Sequence, residues 1–178
     1  MSKLIDKIDY FETNISILFN KSAINNRFIF YLFRLITLTA EGWIFIIYAL
    51  ILLFLDYNQA WDVIKVGIVT YGLYYPIYYI IKNKIKRERP FEKNKSDIKC
   101  LVKPPDKYSF PSGHSAASTI ATLIIIFFYP QTTLLIMWPI LVAFSRITLG
   151  VHYLTDAMFG IGLGILCYLI CTYIFYLI

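Results

Sequence analysis

Long apolar runs separated by short polar clusters dominate the chain. Predominantly apolar stretches recur at about residues 28–55, 61–81, 113–136, 133–149 and 157–178, most of them near the roughly 20 residues that a helix needs to cross a bilayer. The pattern predicts an all-α, polytopic membrane bundle of about six helices, five to six of them spanning, in one membrane-embedded domain over residues 1–178. The first run is too long for one straight span and is interrupted by Arg34, Glu41 and Gly42, so a short interfacial helix followed by a spanning one is expected. Asp56-Tyr57-Asn58-Gln59 reads as a turn, and the next helix is expected from Trp61 to Ile81, kinked at Pro76, with Tyr74, Tyr75, Tyr78 and Tyr79 as an interfacial belt. Pro111-Ser112 reads as a helix start and Tyr129-Pro130 as its end. A return span at about Thr133–Leu149, a link at Gly150–Thr155 and a last helix follow, the glycines 160, 162 and 164 suiting close helix packing.

Before residue 28, Leu4, Ile5, Ile8, Phe11 and Ile15 recur at helical spacing. This fits an amphipathic helix over residues 1–27 lying along the membrane surface, or a solvated leader helix packed on the bundle. Charged residues from Lys3 to Arg27 break any apolar core of signal-peptide length, so no secretory signal is expected there. Composition agrees with the bilayer as solvent: 58% of 178 residues are apolar and 18% aromatic, more apolar surface than one small soluble core can hide. Cys100, Cys167 and Cys171 form no CxxC pair and suggest neither a disulfide framework nor a zinc site; the last two share an apolar helix face.

The formal net charge of +6 is concentrated. Residues 82–110 hold ten lysines and arginines against four acids, while the remainder of the chain carries seven of each. The loop 82–112 is therefore an electropositive mouth. Nucleic acid is disfavoured as its partner, because the segment adjoins membrane spans and lacks interleaved aromatics. Anionic lipid or a phosphorylated substrate remains, with the outer lysines read as a solvated charge run.

Three polar clusters lie at ends of apolar runs: Lys82 with Arg89-Pro90; Pro111-Ser112-Gly113-His114; and Ser145-Arg146 with His152 and Asp156. Alternating spans bring all three to the same side of the bilayer. Arg146 follows an apolar stretch where an unpaired cation is costly, which marks it as functional unless it snorkels to the head groups. Lys82, Arg89 and Arg146 together suit a phosphate dianion, and Ser112 and Gly113 open a helix whose free amides suit an anion, although Ser112 also explains itself as a cap. The spacing of His152 and Asp156 places carboxylate against imidazole if the last helix begins by about residue 152. Asp156 then fixes the tautomer, the other ring nitrogen is left to attack phosphorus, and His114 is placed to protonate the leaving oxygen. A metal site would need more ligands than this, and no HExxH or carboxylate cluster is present.

These residues resemble the type 2 phosphatidic acid phosphatases, whose pattern K-x6-RP, PSGH and SR-x5-H-x3-D is matched at every specified position from Lys82 to Asp156. The resemblance implies metal-independent chemistry with no cofactor, a phosphohistidine at His152, Asp156 as its orienting partner and His114 as general acid. It also implies Lys82, Arg89, Ser112, Gly113 and Arg146 as phosphate ligands. Length and the lack of a soluble domain look like the small bacterial members acting on lipid phosphates such as undecaprenyl diphosphate, phosphatidate, phosphatidylglycerophosphate or lipid A. Residues 1–60 lie outside the motifs. In similar bacterial enzymes the site faces outward, whereas the positive-inside rule would keep the basic loop in the cytoplasm; outward placement in the cell membrane is the expectation. A phosphotransferase between lipids and a non-catalytic lipid-phosphate binder or translocator remain alternative functions, and neither the lipid nor the oligomeric state is readable.

Overall fold

The computed structural model describes residues 2–177, with side chains from residue 6 to 174. Among these it is helical without strands. Helix α1 spans Ser2–Asn25, α2 Arg27–Leu38, α3 Gly42–Leu55, α4 Tyr57–Ile85, α5 Pro90–Lys93, α6 Gly113–Phe128, α7 Met137–Thr148 and α8 Leu154–Leu177, with a 3₁₀ helix at Pro130–Ile136 leading into α7. The molecule is a membrane protein. Pro130–Thr148 and Leu154–Ile174 are long and apolar enough to cross a bilayer, and the bent pair α2–α3, broken by 64°, supplies a third such segment if it counts as one span. At 1.5 Å per residue α4 reaches about 43 Å, yet Asp62, Lys65, Lys82 and Lys84 interrupt its apolar surface. α6 is apolar and has 16 residues.

Several boundaries differ from the sequence expectation for local reasons. The turn at 56–59 shrinks to Asp56 alone, which closes α3 and caps α4 by accepting from Gln59 N at 3.4 Å, so α4 begins four residues early. α4 then runs through Pro76 to Ile85, which puts Lys82 in a helical turn and starts the basic loop at Lys86. Tyr74 and Tyr78 do not join the interfacial belt: Tyr74 is buried and Tyr78 faces the cations, while Tyr75 and Tyr79 point outward. The last helix begins at Leu154, so His152 lies in the link and not on the helix.

The N-terminal helix forms and packs on α2, α7 and α8. Its inward face is polar: Glu12, Ser16 and Asn20, spaced four apart, are buried, while Ile8 and Phe11 are exposed. Ile15 and Phe19 pack against Ala143, Ile147 and Ala157; the side chains of Leu4 and Ile5 lie outside the described residues. Asn20 donates to Lys99 O and Thr148 O, both at 3.0 Å, and accepts from Lys99 N at 2.8 Å. One amide thus ties the basic loop to the end of α7.

α6 is the central helix, buried continuously from His114 to Ile120 and packed chiefly on α8 as well as α4 and α7. Its contact with α8 depends on two of the three expected glycines. A Cβ at Gly160 would meet Ser112 O at 2.4 Å, and one at Gly164 would meet Ala116 O at 2.7 Å, whereas Gly162 faces open space. Gly150 turns the chain after α7 with φ +80°, against Lys99 O, a conformation that side chains with a Cβ resist.

Candidate active site

All three motif clusters meet at one end of the bundle. Lys82, in the last turn of α4, donates to Tyr78 Oη at 2.7 Å and Pro111 O at 3.3 Å. Arg89 precedes α5, whose first turn Glu92 closes by accepting from Arg89 N at 3.2 Å. Its Nη1 donates to Val151 O at 2.7 Å and lies 3.5 Å from His152 Nε2. Ser112 caps α6 by accepting from Ser115 N at 3.4 Å, and its own N–H donates to Asp156 O at 3.0 Å, which joins the start of α6 to the start of α8. Gly113 is the first residue of α6, against the Tyr78 ring, and His114 follows it.

The link 149–153 is shaped by the end of α7, where Arg146 O accepts from Val151 N at 3.1 Å and from His152 N at 3.3 Å. His152 is buried, with Nδ1 3.6 Å from Asp156 Oδ2. The two side chains do not share a helix face: Asp156, in the first turn of α8, reaches back to accept from Tyr153 N at 2.8 Å, which draws the preceding link, and His152 with it, against the carboxylate. Burial drives the His152 imidazole pKa down to about 3, with Asp156 opposing and the nearby guanidinium groups of Arg89 and Arg146 adding to the shift, so at neutral pH the ring is uncharged.

Other residues at the site carried no sequence signal of their own. Asp156 is gripped by Ser109 Oγ on Oδ2 and by Arg87 Nη1 on Oδ1 at 2.6 Å. Arg87 also donates to Thr155 Oγ1 at 2.7 Å and pairs through Nη2 with the buried Glu12 of α1, to which Thr155 donates at 2.5 Å. Burial alone would lower the Arg87 pKa, but Asp156 and Glu12 outweigh it and hold it above its ordinary value. The α2–α3 elbow contributes twice: Thr37 accepts from Arg146 Nη1 at 2.6 Å, and Glu41 Oε1 lies 3.2 Å from His114 Nε2. Asp106 pairs with Lys82 at 3.0 Å and with Arg89 at 2.7 Å. The inward-facing polar residues spaced four apart in α1, Glu12, Ser16 and Asn20, were hidden by the more conspicuous apolar stripe.

Three buried guanidinium nitrogens, Arg89 Nε and Arg146 Nε and Nη2, donate to no protein atom. A buried charged donor without a partner is costly, and a tetrahedral oxyanion is the chemistry these forks match. Among the described residues no group of three or more His, Cys, Asp or Glu side chains is placed to hold a metal ion.

Comparison with known proteins agrees with this architecture. The family described as PAP2 superfamily matches residues 59–178, and the chain belongs to it. The decaprenylphosphoryl-5-phosphoribose phosphatase of Mycolicibacterium smegmatis is 39% identical over 84 residues, covering 46% of this chain and 43% of that protein. Phosphatidylglycerophosphatase B of Bacillus subtilis is 29% identical over 124 residues, covering 63% and 57%. The aligned stretches thus span about half the length of these relatives. Among solved structures, the transmembrane PAP2 type phosphatidylglycerolphosphate phosphatase from Bacillus subtilis superposes with a TM-score of 0.72 at 21% identity, over 98% of this chain and 88% of that one. LpxE of Aquifex aeolicus gives 0.67 at 18% identity, over 90% and 93%. The fold is that of the helical PAP2 membrane phosphatases.

Proposed function

We propose that the chain is an integral-membrane lipid phosphatase or diphosphatase that hydrolyses a lipid phosphate through a phosphohistidine at His152. The observation that carries this reading is the set of unpartnered, buried guanidinium donors on Arg89 and Arg146 beside an imidazole whose Nε2 faces Arg89 at 3.5 Å. Lys82, Arg89, Arg146 and the Ser112–Gly113 helix start receive the phosphate oxygens. His152 Nε2, with Nδ1–H directed at Asp156, attacks phosphorus; the N–P bond forms as the bond to the leaving oxygen breaks, and His114 gives that oxygen its proton. Water then attacks phosphorus, His114 takes a proton from it, and the N–P bond breaks to release phosphate.

Magnitudes require this division of labour. Hydrolysis of a phosphate monoester needs more than about 20 kcal/mol removed from its barrier, whereas one cation about 4 Å from a phosphate charge supplies about 4 kcal/mol at a surface-like effective dielectric. Two easier covalent steps with donors already in place supply the balance.

An apolar groove of about 930 Å³ between α2, α3, α4, α6 and α7, lined by Thr39, Phe45, Ile64, Tyr71 and Trp138 among others, suits the apolar part of a lipid substrate. That volume accommodates a large ligand portion, and the α2–α3 elbow that borders it at Thr39 also presents Glu41 to His114. The phosphatase names of the relatives, which specify lipid-linked phosphates, point the same way. The site is assigned to the extracytoplasmic face of the cell membrane, with α1 lying along the surface and Ile8 and Phe11 toward lipid.

Purified protein in detergent with EDTA should release inorganic phosphate from at least one of phosphatidate, phosphatidylglycerophosphate, undecaprenyl diphosphate and lipid A; release from none contradicts the reading. Loss of cellular function in His152→Ala separates an enzyme from a binder, and product analysis with alcohol acceptors separates hydrolysis from transfer.

A further inference from the structure

The proposed phosphate ligands already hold an anion that belongs to the chain. Asp106 Oδ1 lies 3.0 Å from Lys82 Nζ and 2.7 Å from Arg89 Nη2. Its Oδ2 accepts from Tyr78 Oη at 2.8 Å, and its backbone carbonyl accepts from Arg89 Nη2 at 3.1 Å. Burial pushes this carboxyl up, but Lys82, Tyr78 and Arg89 outweigh it and keep it below the ordinary carboxylate range. The arrangement is asymmetric in access: the side chains of Lys82 and Arg89 are 5% and 1% exposed, that of Asp106 32%. Asp106 sits in irregular backbone just after Pro104-Pro105, outside any helix. Its side chain can therefore turn toward solvent without disturbing the bundle, while the two cations stay where they are.

We propose that Asp106 is a specificity-determining residue, a resident carboxylate that yields Lys82 and Arg89 to a dianionic phosphate monoester and withholds them from singly charged phosphodiester head groups. The proposal rests on the phosphatase reading, since it concerns which lipids enter that site. The physical need arises from the solvent. An anionic bilayer surrounds the protein with phosphodiesters, and a cationic pocket in contact with it would bind them. Discrimination between partners is a difference of affinities, and a built-in repulsion or competitor is one way to create it. A phosphodiester brings one charge to replace one charge and gains nothing from the exchange. A monoester, whose second proton leaves near pH 6, brings almost two at neutral pH. The charge difference between the two classes is thereby turned into selection.

A merely structural role, in which Asp106 aligns the two cations, predicts lost turnover without altered selectivity. The test uses purified full-length protein in neutral detergent micelles, with short-chain phosphatidate as the monoester and phosphatidylglycerol as the phosphodiester. Asp106→Asn and Asp106→Ser remove the charge by different routes, and Asp106→Glu keeps it. Phosphatidylglycerol should inhibit both neutral variants at concentrations about tenfold lower than the wild type, the scale expected when a competing like charge is removed, while the Glu variant stays resistant. Direct binding of fluorescent phosphatidylglycerol is measured in parallel and should tighten by the same factor in both neutral variants. Equal inhibition and equal binding in wild type and neutral variants overturn the proposal. If the wild type hydrolyses no monoester at all, the phosphatase reading fails, and the binding comparison still decides for or against Asp106.

Discussion

Arg87 holds Asp156 at 2.6 Å with one arm of its guanidinium and Glu12 with the other. A helix at the start of the chain is thereby joined to the carboxylate that faces His152. Arg87→Lys keeps the charge but loses the planar fork. It should lower kcat about tenfold to hundredfold, the range seen when outer partners of a reactive group are lost, with KM little changed. Glu12→Ala should act through the same contact, so the Glu12→Ala/Arg87→Ala double variant should be no slower than Arg87→Ala alone. Additive losses in steady-state kinetics would show that Glu12 and Arg87 act separately.

The uncharged His152 makes a prediction about acid stability. Its folded pKa of about 3 lies below the ordinary 6.5, so between these values the unfolded chain binds a proton that the native protein does not. The associated stability is fully present above pH 6.5 and is lost as the pH falls toward 3, by at most about 1.4 kcal/mol per pH unit. His152→Gln should lose less stability than the wild type between pH 6.5 and 4.5 in thermal unfolding scans; parallel curves would contradict the assignment. The acid limb of kcat/KM should follow the substrate's second ionisation near pH 6, because the imidazole is deprotonated well below it.

Helix contact at Gly160 reaches the site directly, since the atom it touches is the carbonyl of the α6 cap. A methyl group there would meet Ser112 O at 2.4 Å, and one at Gly164 would meet Ala116 O at 2.7 Å. Gly160→Ala and Gly164→Ala should each cost about 1–3 kcal/mol, the usual penalty of overpacking, and Gly160→Ala should also depress turnover. Gly162→Ala faces open space and should stay within about 0.5 kcal/mol of wild type. Thermal unfolding in one detergent compares the three, and equal effects would refute the packing assignment.

Orientation can be read from a native residue. Cys100 in the basic loop is exposed, while Cys167 and Cys171 are buried in α8. A membrane-impermeant maleimide should label the protein in intact cells and fail to label Cys100→Ser. Labelling that appears only after lysis would place the loop, and the site with it, in the cytoplasm.

Much of the site was legible because its parts are short motifs at the ends of apolar runs. Ser112 behaves as the cap its neighbours predict, and Tyr129 ends α6 where Pro130 stops it. Lys82, Arg89, Ser112, Gly113, His114, Arg146, His152 and Asp156 are all brought to one end of the bundle. The remainder depends on contacts between segments distant in the chain. Glu12, Thr37 and Glu41 reach the site from the N-terminal helices, where nothing in their local sequence distinguishes them from surface polar residues. Tyr78 was hidden among tyrosines whose neighbours do face outward. Asp106 looked like one acid diluted in a basic loop, because charge balance along a chain says nothing about which two cations a carboxylate will find.

Catalysis by this site passes through a covalent bond between His152 and phosphorus. Mixing the purified protein with a ³²P-labelled lipid phosphate, quenching within the first turnovers in alkaline denaturant and mapping the label by peptide mass spectrometry tests it directly. An acid-labile phosphoryl group should accumulate on the peptide that contains His152 in wild type and be absent from His152→Ala. Turnover at the normal rate in His152→Ala, or label carried by another residue, would contradict it.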